Sequence, residues 1–262
     1  MLTLNDRRAI VTGSTSGIGA AMAAALAKAG CAVMMNGFGG ADDIEQARAA
    51  LAAETGGDIR YHAADMRDPT AIVGLIDAAN EAFGGVDILL NNAGIQHVAP
   101  IEDFPVDQWN DILAVNLSAS FHTIRQVLPA MRERGWGRII NTASVQGLIG
   151  SVDKAAYVAA KHGLVGLTKV VALEAAGSGV TCNAICPGST QTPLVQAQIE
   201  RYAQQQGVDL ETAAQERLAA KQPSQTSVRT EDIGALAVFL CCDAAEQITG
   251  TSLPIDGGWT AQ

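Results

Sequence analysis

The chain is short of positive charge: 17 Lys and Arg stand against 27 Asp and Glu, a net charge of −10. Such a surface repels nucleic acid and anionic membranes, so neither is an expected partner. A few local donors can still hold an anion, which leaves a small carboxylate substrate open. No Cys-x-x-Cys pair occurs among Cys31, Cys182, Cys186, Cys241 and Cys242. The odd count and the apolar neighbours point to reduced core thiols rather than a disulfide framework or a metal site. His62, His97, His122 and His162 lack ligand-like spacing, so no metal is expected. No apolar run reaches about 18 residues, and no membrane span is expected. The opening "MLTLNDRRAIVTG" enters a strand pattern directly, with no signal peptide, so the expected compartment is the cytoplasm.

What is present is a repeating pattern. Hydrophobic residues make up 48% of 262 positions, enough for a sizeable core. Short β-rich runs at 8–13, 31–36, 59–65, 86–94, 138–144, 180–188 and 251–258 alternate with helical stretches at 17–30, 41–55, 68–84, about 106–133 and about 154–176. Asp68 followed by Pro69 is a helix-start signal. This alternation predicts an α/β fold: a single Rossmann-type domain over 1–262, with a doubly wound, parallel, seven-stranded sheet and helices on both faces. One segment breaks the rhythm. About forty residues separate Gly188 from the helix near Glu231, too many for an ordinary loop. Residues 189–225 are expected to form a helical lid over the carboxyl ends of the strands rather than a bland surface insertion.

Between the first strand and the first helix lies "TGSTSGIG", residues 12–19. Gly13, Gly17 and Gly19 let backbone N–H groups approach a pyrophosphate, and the helix N-terminus adds partial positive charge. In a βαβ context this predicts a dinucleotide site. The acidic residue expected for the ribose hydroxyls is missing from the end of the second strand, where Asn36 stands instead. Residues 31–47 contain no Arg or Lys, while Asp42, Asp43 and Glu45 follow closely. A 2′-phosphate would meet anions and no cation, so NAD is the expected cofactor rather than NADP. Asp65 is placed either to accept from the adenine amine or to cap the next helix.

Tyr157 and Lys161 are spaced i, i+4 on a helix and share a face. An ammonium near a phenol is expected to lower the phenol's pKa, making it a usable acid or base for an alcohol. Ser144 ends a strand, from where its hydroxyl can reach the reacting oxygen.

"TGSTSGIG", "NNAG" at 91–94, Asn116, Ser144, Tyr157, Lys161 and "PG" at 187–188 stand in one order along the chain. In this the chain resembles the short-chain dehydrogenase/reductase family over essentially its whole length. The resemblance implies NAD(P)-linked oxidation of an alcohol or reduction of a ketone, and commonly a homotetramer. It implies Tyr157 as the acid/base, Lys161 on the nicotinamide ribose, Ser144 on the substrate oxygen and Asn116 holding a relay water. It also implies cofactor contacts from Gly13, Thr15, Ser16, Gly17, Ile18, Gly19, Phe38, Asp65, Met66, Asn92, Ala93, Gly94, Tyr157, Lys161, Pro187, Gly188 and Thr192. A non-catalytic NAD-binding sensor is the alternative class, and the intact set of Asn116, Ser144, Tyr157 and Lys161 stands against it.

Within that family the chain is most similar to the bacterial D-3-hydroxybutyrate dehydrogenases. The shared stretches include "NNAGIQH" (91–97), "AAYVAAKHG" (155–163), "KQPS" (221–224) and "ITGTSLPIDGGWTA" (248–261). This closer likeness implies a small 3-hydroxy acid substrate, with Gln96, Lys154 and Gln198 on its carboxylate beside Ser144, Gln146 and Tyr157. Lys154 lies at i, i+3 from Tyr157, so a cation there could hold the carboxylate near the phenol. Two positions depart from the subfamily pattern. Gln146 stands where a histidine is usual, and Ser189 where a tryptophan is usual. Both changes lie on the substrate side. They predict a roomier or more polar pocket, suited to a different or more polar hydroxy acid or alcohol.

Overall fold

The computed structural model describes residues 3–261, so residues 1, 2 and 262 of the expected domain lie outside the described residues. Its centre is one parallel sheet of β1 (Arg8–Val11), β2 (Ala32–Asn36), β3 (Ile59–His62), β4 (Ile88–Asn91), β5 (Gly137–Thr142), β6 (Val180–Pro187) and β7 (Ser252–Ile255). The strand order is β3-β2-β1-β4-β5-β6-β7. The register aligns Met34, Ile10, Leu89, Ile139 and Cys182 across five strands. That row belongs to one apolar cluster, while the alternate residues Met35, Val11, Leu90 and Ile140 belong to the other. The period of two therefore divides the buried side chains of these central strands between two cores, which is why both of their phases carry apolar residues.

Helices α1 (Gly17–Lys28), α2 (Ala41–Thr55) and α3 (Pro69–Phe83) follow the first three strands, and α6 (Ala155–Ala175) follows β5. Met22 and Leu26 of α1, with Ile233 and Ala237 of α9 (Thr230–Cys241), cover one face. Leu75 of α3, Met131 of α5 (Ala119–Arg134) and Val171 of α6 cover the other. Asp68 caps α3 by accepting from the Thr70 N–H at 2.8 Å, with Pro69 in the first turn, as its sequence signal predicts. Helix α1 stops at Lys28, two residues before the expected Gly30. All five cysteines are buried and unpaired. By length and mean hydropathy (1.2) alone α6 is long and apolar enough to cross a membrane, a test that a helix buried in a globular core also passes. Its apolar residues pack on the sheet, and it carries Tyr157 and Lys161.

Two further expectations are corrected. The long helix at 106–133 is not continuous in its winding. Helix α4 (Val106–Leu113) passes through a π-helical turn, Ala114–Ser118, into α5. A π turn holds more residues than an α turn, and here it carries Asn116 out of the regular register. Most strands also end two or three residues earlier than expected, as at Val11, His62, Asn91 and Thr142. Beyond these points the backbone leaves the ladder and bonds to side chains: the Thr12 hydroxyl accepts from the N–H groups of Asn92 (2.9 Å) and Ala93 (3.1 Å).

The segment after β6 folds into α7 (Pro193–Gln206) and α8 (Leu210–Ala219). Its two ends meet. Thr190 and Val228 form an isolated parallel bridge, and the Val228 N–H donates to Ser189 O at 2.8 Å. The wholly buried Gln222 accepts from the Ser189 N–H and donates to Thr226 O at 2.7 Å.

Candidate active site

The strand order reverses between β1 and β4, so the loops after these strands diverge and leave a crevice at their carboxyl ends. A cleft of about 600 Å³ runs along this edge. Gly13, Thr15, Ser16, Gly17, Ile18, Phe38, Asp65, Met66, Asn92, Ala93, Gly94, Ser144, Tyr157, Lys161, Pro187, Gly188 and Thr192 all line it. Gly19 is the exception among the expected cofactor residues. It sits behind the turn, where a Cβ would stand 2.2 Å from Gly13 O. Gly13 itself has φ +62°, and a Cβ there would lie 2.8 Å from Ala93 Cα. Asn92 holds the turn by donating to Thr12 O and Gly13 O, both at 3.0 Å.

These residues fit a dinucleotide. Ser16, the N-cap of α1, makes no side-chain cap bond, and the first turn has no acidic residue. The leading N–H groups of α1 thus face the cleft with no carboxylate to compete for them, which is the arrangement a pyrophosphate needs.

At the far end of the cleft, Asn36 does not stand in for the missing acidic residue. Its buried amide donates to His62 O and Ala64 O at 3.0 Å each and accepts from the Gly13 N–H at 3.4 Å. It ties the ends of β1, β2 and β3 together and has no free donor for a ribose. The capping alternative for Asp65 is also corrected, because Asp68 is the cap of α3. The Asp65 carboxylate instead accepts from the backbone N–H of Arg67 at 2.9 Å and pairs with its guanidinium at 2.7 Å. Those hydrogen bonds hold Asp65 below the usual carboxylate range. Arg67 also lines the cleft and reaches Asp111 at 3.3 Å.

At the near end, Ser144 follows β5 and Tyr157 and Lys161 stand on α6. The Ser144 hydroxyl accepts from the Gln146 N–H at 3.1 Å. The Lys161 ammonium donates to Thr142 O at 2.6 Å and lies 5.6 Å from the Tyr157 ring centre. Burial pulls Lys161 down to about 8. Burial also raises the Tyr157 phenol, with a hydrogen bond to Ser144 opposing it. The expected lowering of the tyrosine by Lys161 is therefore not met in the free site. The lysine spends its short hydrogen bond on a backbone carbonyl, and desolvation of the phenol prevails. Asn116 stands one layer back from the cleft. Its amide oxygen accepts from the Ile95 N–H at 2.9 Å and its amide nitrogen donates to Ile95 O at 3.0 Å, fixing the loop after β4.

A second, smaller pocket adjoins the cleft at Ser144, Tyr157, Gly188, Leu194 and Val195. It brings together Gln96, Gln146, Lys154 and Gln198, the whole expected substrate set. The Lys154 ammonium donates to Gln198 Oε1 at 3.2 Å, and Gln198 Nε2 donates to Gln96 Oε1 at 3.3 Å. Burial, with repulsion from Lys221 and Arg217, lowers Lys154 to about 8. Arg217, Lys221, Val145, Ser189 and Trp259 complete the lining. Sequence reasoning assigned no role to Arg217, Lys221 or Trp259. Lys221 and Trp259 fall in quoted stretches, "KQPS" and "GGWTA", which was the available signal. Arg217 has none, because one charge among polar residues on a surface helix looks like a solvated face.

Comparison with known proteins places this geometry. The family model for short chain dehydrogenase matches residues 7–203. The D-beta-hydroxybutyrate dehydrogenase of Cupriavidus necator is 54% identical over 261 residues, covering 99% of this chain and all of that protein. The D-beta-hydroxybutyrate dehydrogenase of Rhizobium meliloti is 52% identical over 256 residues, covering 98% of this chain and 99% of that one. Among solved structures, a variant of the actinorhodin polyketide ketoreductase with NADPH superposes with a TM-score of 0.92 at 35% identity, covering 98% of each chain. Motif order, sheet topology and site agree with these likenesses, and the chain belongs to the short chain dehydrogenase family of oxidoreductases.

Proposed function

We propose that this chain is an NAD-dependent dehydrogenase of small 3-hydroxy acids, interconverting (R)-3-hydroxybutyrate and acetoacetate. One observation carries the reading. Lys154, Gln96 and Gln198 cluster in a pocket that opens onto Ser144 and Tyr157, so a carboxylate held there sets the carbinol carbon near the phenol. The two relatives above 50% identity, both named D-beta-hydroxybutyrate dehydrogenase, support it.

The bound nicotinamide supplies the hydride acceptor in oxidation and the donor in reduction. The chain supplies position and proton. Ser144 steadies the substrate oxygen by hydrogen bonding. Tyr157 takes the hydroxyl proton as the phenolate in oxidation and returns it as the phenol in reduction, and burial in the free site favours the protonated form that donates to a ketone. Lys161 is placed to hold the ribose hydroxyls from behind the tyrosine. Asn116, through Ile95, holds the backbone beside the reacting centre and completes the catalytic set.

NAD is favoured over NADP because Arg67, the cation lining the adenine end, is already engaged by Asp65 and Asp111. A 2′-phosphate would have to compete with both carboxylates for it. The α7–α8 segment serves as the lid of this single domain, the compartment is the cytoplasm, and the assembly is a homotetramer. Exposed Phe121, Val170 and Leu173 on α5 and α6 support an apolar assembly face.

A substrate screen with NAD and NADP in parallel tests the reading. If kcat/KM for 3-hydroxybutyrate trails a neutral secondary alcohol by about 100-fold, some 2.7 kcal/mol in transition-state binding, the carboxylate assignment fails. The Tyr157→Phe variant should still bind NADH but lose about 10²–10⁴ in turnover. Unchanged turnover would remove the acid/base role.

A further inference from the structure

The substrate pocket holds more positive charge than one carboxylate can balance. Lys154 at the start of α6, Arg217 on α8 and Lys221 just beyond it all line the pocket, and among the described residues no Asp or Glu does. None of the three takes part in a salt bridge among the described residues. Two of them converge on a single atom: Gln198 Oε1 accepts from Lys154 Nζ at 3.2 Å and from Arg217 Nη2 at 3.0 Å. A neutral amide oxygen thus occupies the point between two cations where an anionic oxygen would bind far better. A second observation is independent of these charges. Gln96 Nε2 is buried in the same pocket and has no hydrogen-bond acceptor among the described residues. A buried donor left unmade costs about 1–3 kcal/mol, so this one points to an acceptor that a ligand brings.

The walls agree. Ser189 and Gln146 add polar groups to the wall beside the apolar Val145, Leu194, Val195 and Trp259, and Ser189 leaves space that a bulkier side chain would fill. Mutual repulsion among the cations is part of what lowers Lys154 and Lys221. One bound carboxylate relieves that repulsion only in part, and a dianion relieves it more fully.

We propose that the pocket takes a 3-hydroxy acid, or its 3-oxo partner, that carries a second carboxylate. One carboxylate lies on Lys154, Gln96 and Gln198, and the other on Arg217 and Lys221. This rests on the 3-hydroxy acid reading above. The redox step is the same one: the carbinol carbon gives a hydride to the oxidised nicotinamide and the hydroxyl gives its proton to the Tyr157 phenolate, leaving a ketone and a neutral phenol.

The test compares 3-hydroxyglutarate with 3-hydroxybutyrate as substrates, and glutarate with butyrate as ligands of the NADH-loaded enzyme by calorimetry. A charge-assisted contact contributes about 1.5–3 kcal/mol, so kcat/KM for the diacid should exceed that for the monoacid about 10–150-fold, with glutarate binding tighter than butyrate in the same range. Arg217→Leu should lower the diacid values at least about tenfold more than the monoacid values. Lys221→Gln provides the same check should the Arg217 variant fail to fold. Equal or better performance of the monoacid and butyrate in the wild type overturns the proposal, as does an Arg217→Leu loss that is equal for both classes. Turnover of neither acid with either cofactor would instead remove the 3-hydroxy acid reading itself.

Discussion

Lys154 gives the most direct prediction, because its charge is poised to disappear within an accessible pH range. Its pKa in the free pocket is lowered to about 8, by burial first and then by repulsion from Lys221 and Arg217. The groups facing it are those two cations, the Gln198 amide and, one turn along α6, Tyr157. None is an anion. Arg217 keeps its charge throughout, and the raised Tyr157 does not ionise in this window. A bound carboxylate favours the ammonium, so affinity is full below the free pKa and falls as pH rises through it. With a pKa of about 8, Lys154 is about nine-tenths charged at pH 7 and about one-tenth at pH 9. The Kd for butyrate, a carboxylate with no alcohol to oxidise, should therefore rise about tenfold from pH 7 to pH 9. Trp259 lines the pocket, so its fluorescence can follow the titration on enzyme saturated with NADH. In Lys154→Arg the charge persists and the rise should be much shallower, what remains coming from Lys221 and Lys161, which burial also lowers. In Lys154→Met the profile should be equally shallow but about 10–150-fold weaker, the loss of one charge-assisted contact. A flat wild-type profile, or the same rise in Lys154→Arg, would show that Lys154 does not hold the carboxylate.

Two other predictions concern the ends of the cleft. Asn36→Asp restores an acidic residue where dinucleotide sites often have one, yet it should not tighten NADH binding. It sets a carboxylate against His62 O and Ala64 O and should cost about 3–5 kcal/mol, read by urea unfolding at pH 7. That buried acid would have a raised folded pKa, so the deficit should shrink as the pH falls toward the carboxyl range; wild-type stability at pH 7 would refute the pinning role. For the proposed lid, carboxylate ligands should slow hydrogen exchange around residues 190–220, and unchanged exchange there would count against closure over the substrate.

The parts legible in the sequence were those with a local cause. Period-two apolar strands, Asp68–Pro69 at a helix start and the glycine turn after β1 each act through neighbours in the chain. Tyr157, Lys161 and Lys154 were legible because one helix face holds all three. What escaped depends on tertiary placement. Asn36 looks like a substitute for a ribose ligand until the ends of three strands are seen to meet on its amide. The π turn at 114–118 has no composition signal. The raised Tyr157 pKa reflects burial of the phenol, and spacing alone cannot show how deeply a side chain is buried. Arg217 comes from the segment least constrained by periodicity, and only the folding of α8 over the site gives it a partner.

The neck of the α7–α8 segment has a consequence for how such a site can diversify. Because Thr190 and Val228 meet, and Gln222 pins the turn between them, the segment leaves β6 and runs on into α9 at nearly one point. Lengthening a loop whose ends are already tied adds little entropy cost, about 0.6 kcal/mol per doubling. Insertions, deletions and new side chains between residues 193 and 219 can therefore rewrite what the pocket accepts while β5, β6 and α6 keep the proton-moving groups in place. The chemistry and the selectivity of this enzyme are mounted on separately adjustable parts, and Arg217 sits on the adjustable one.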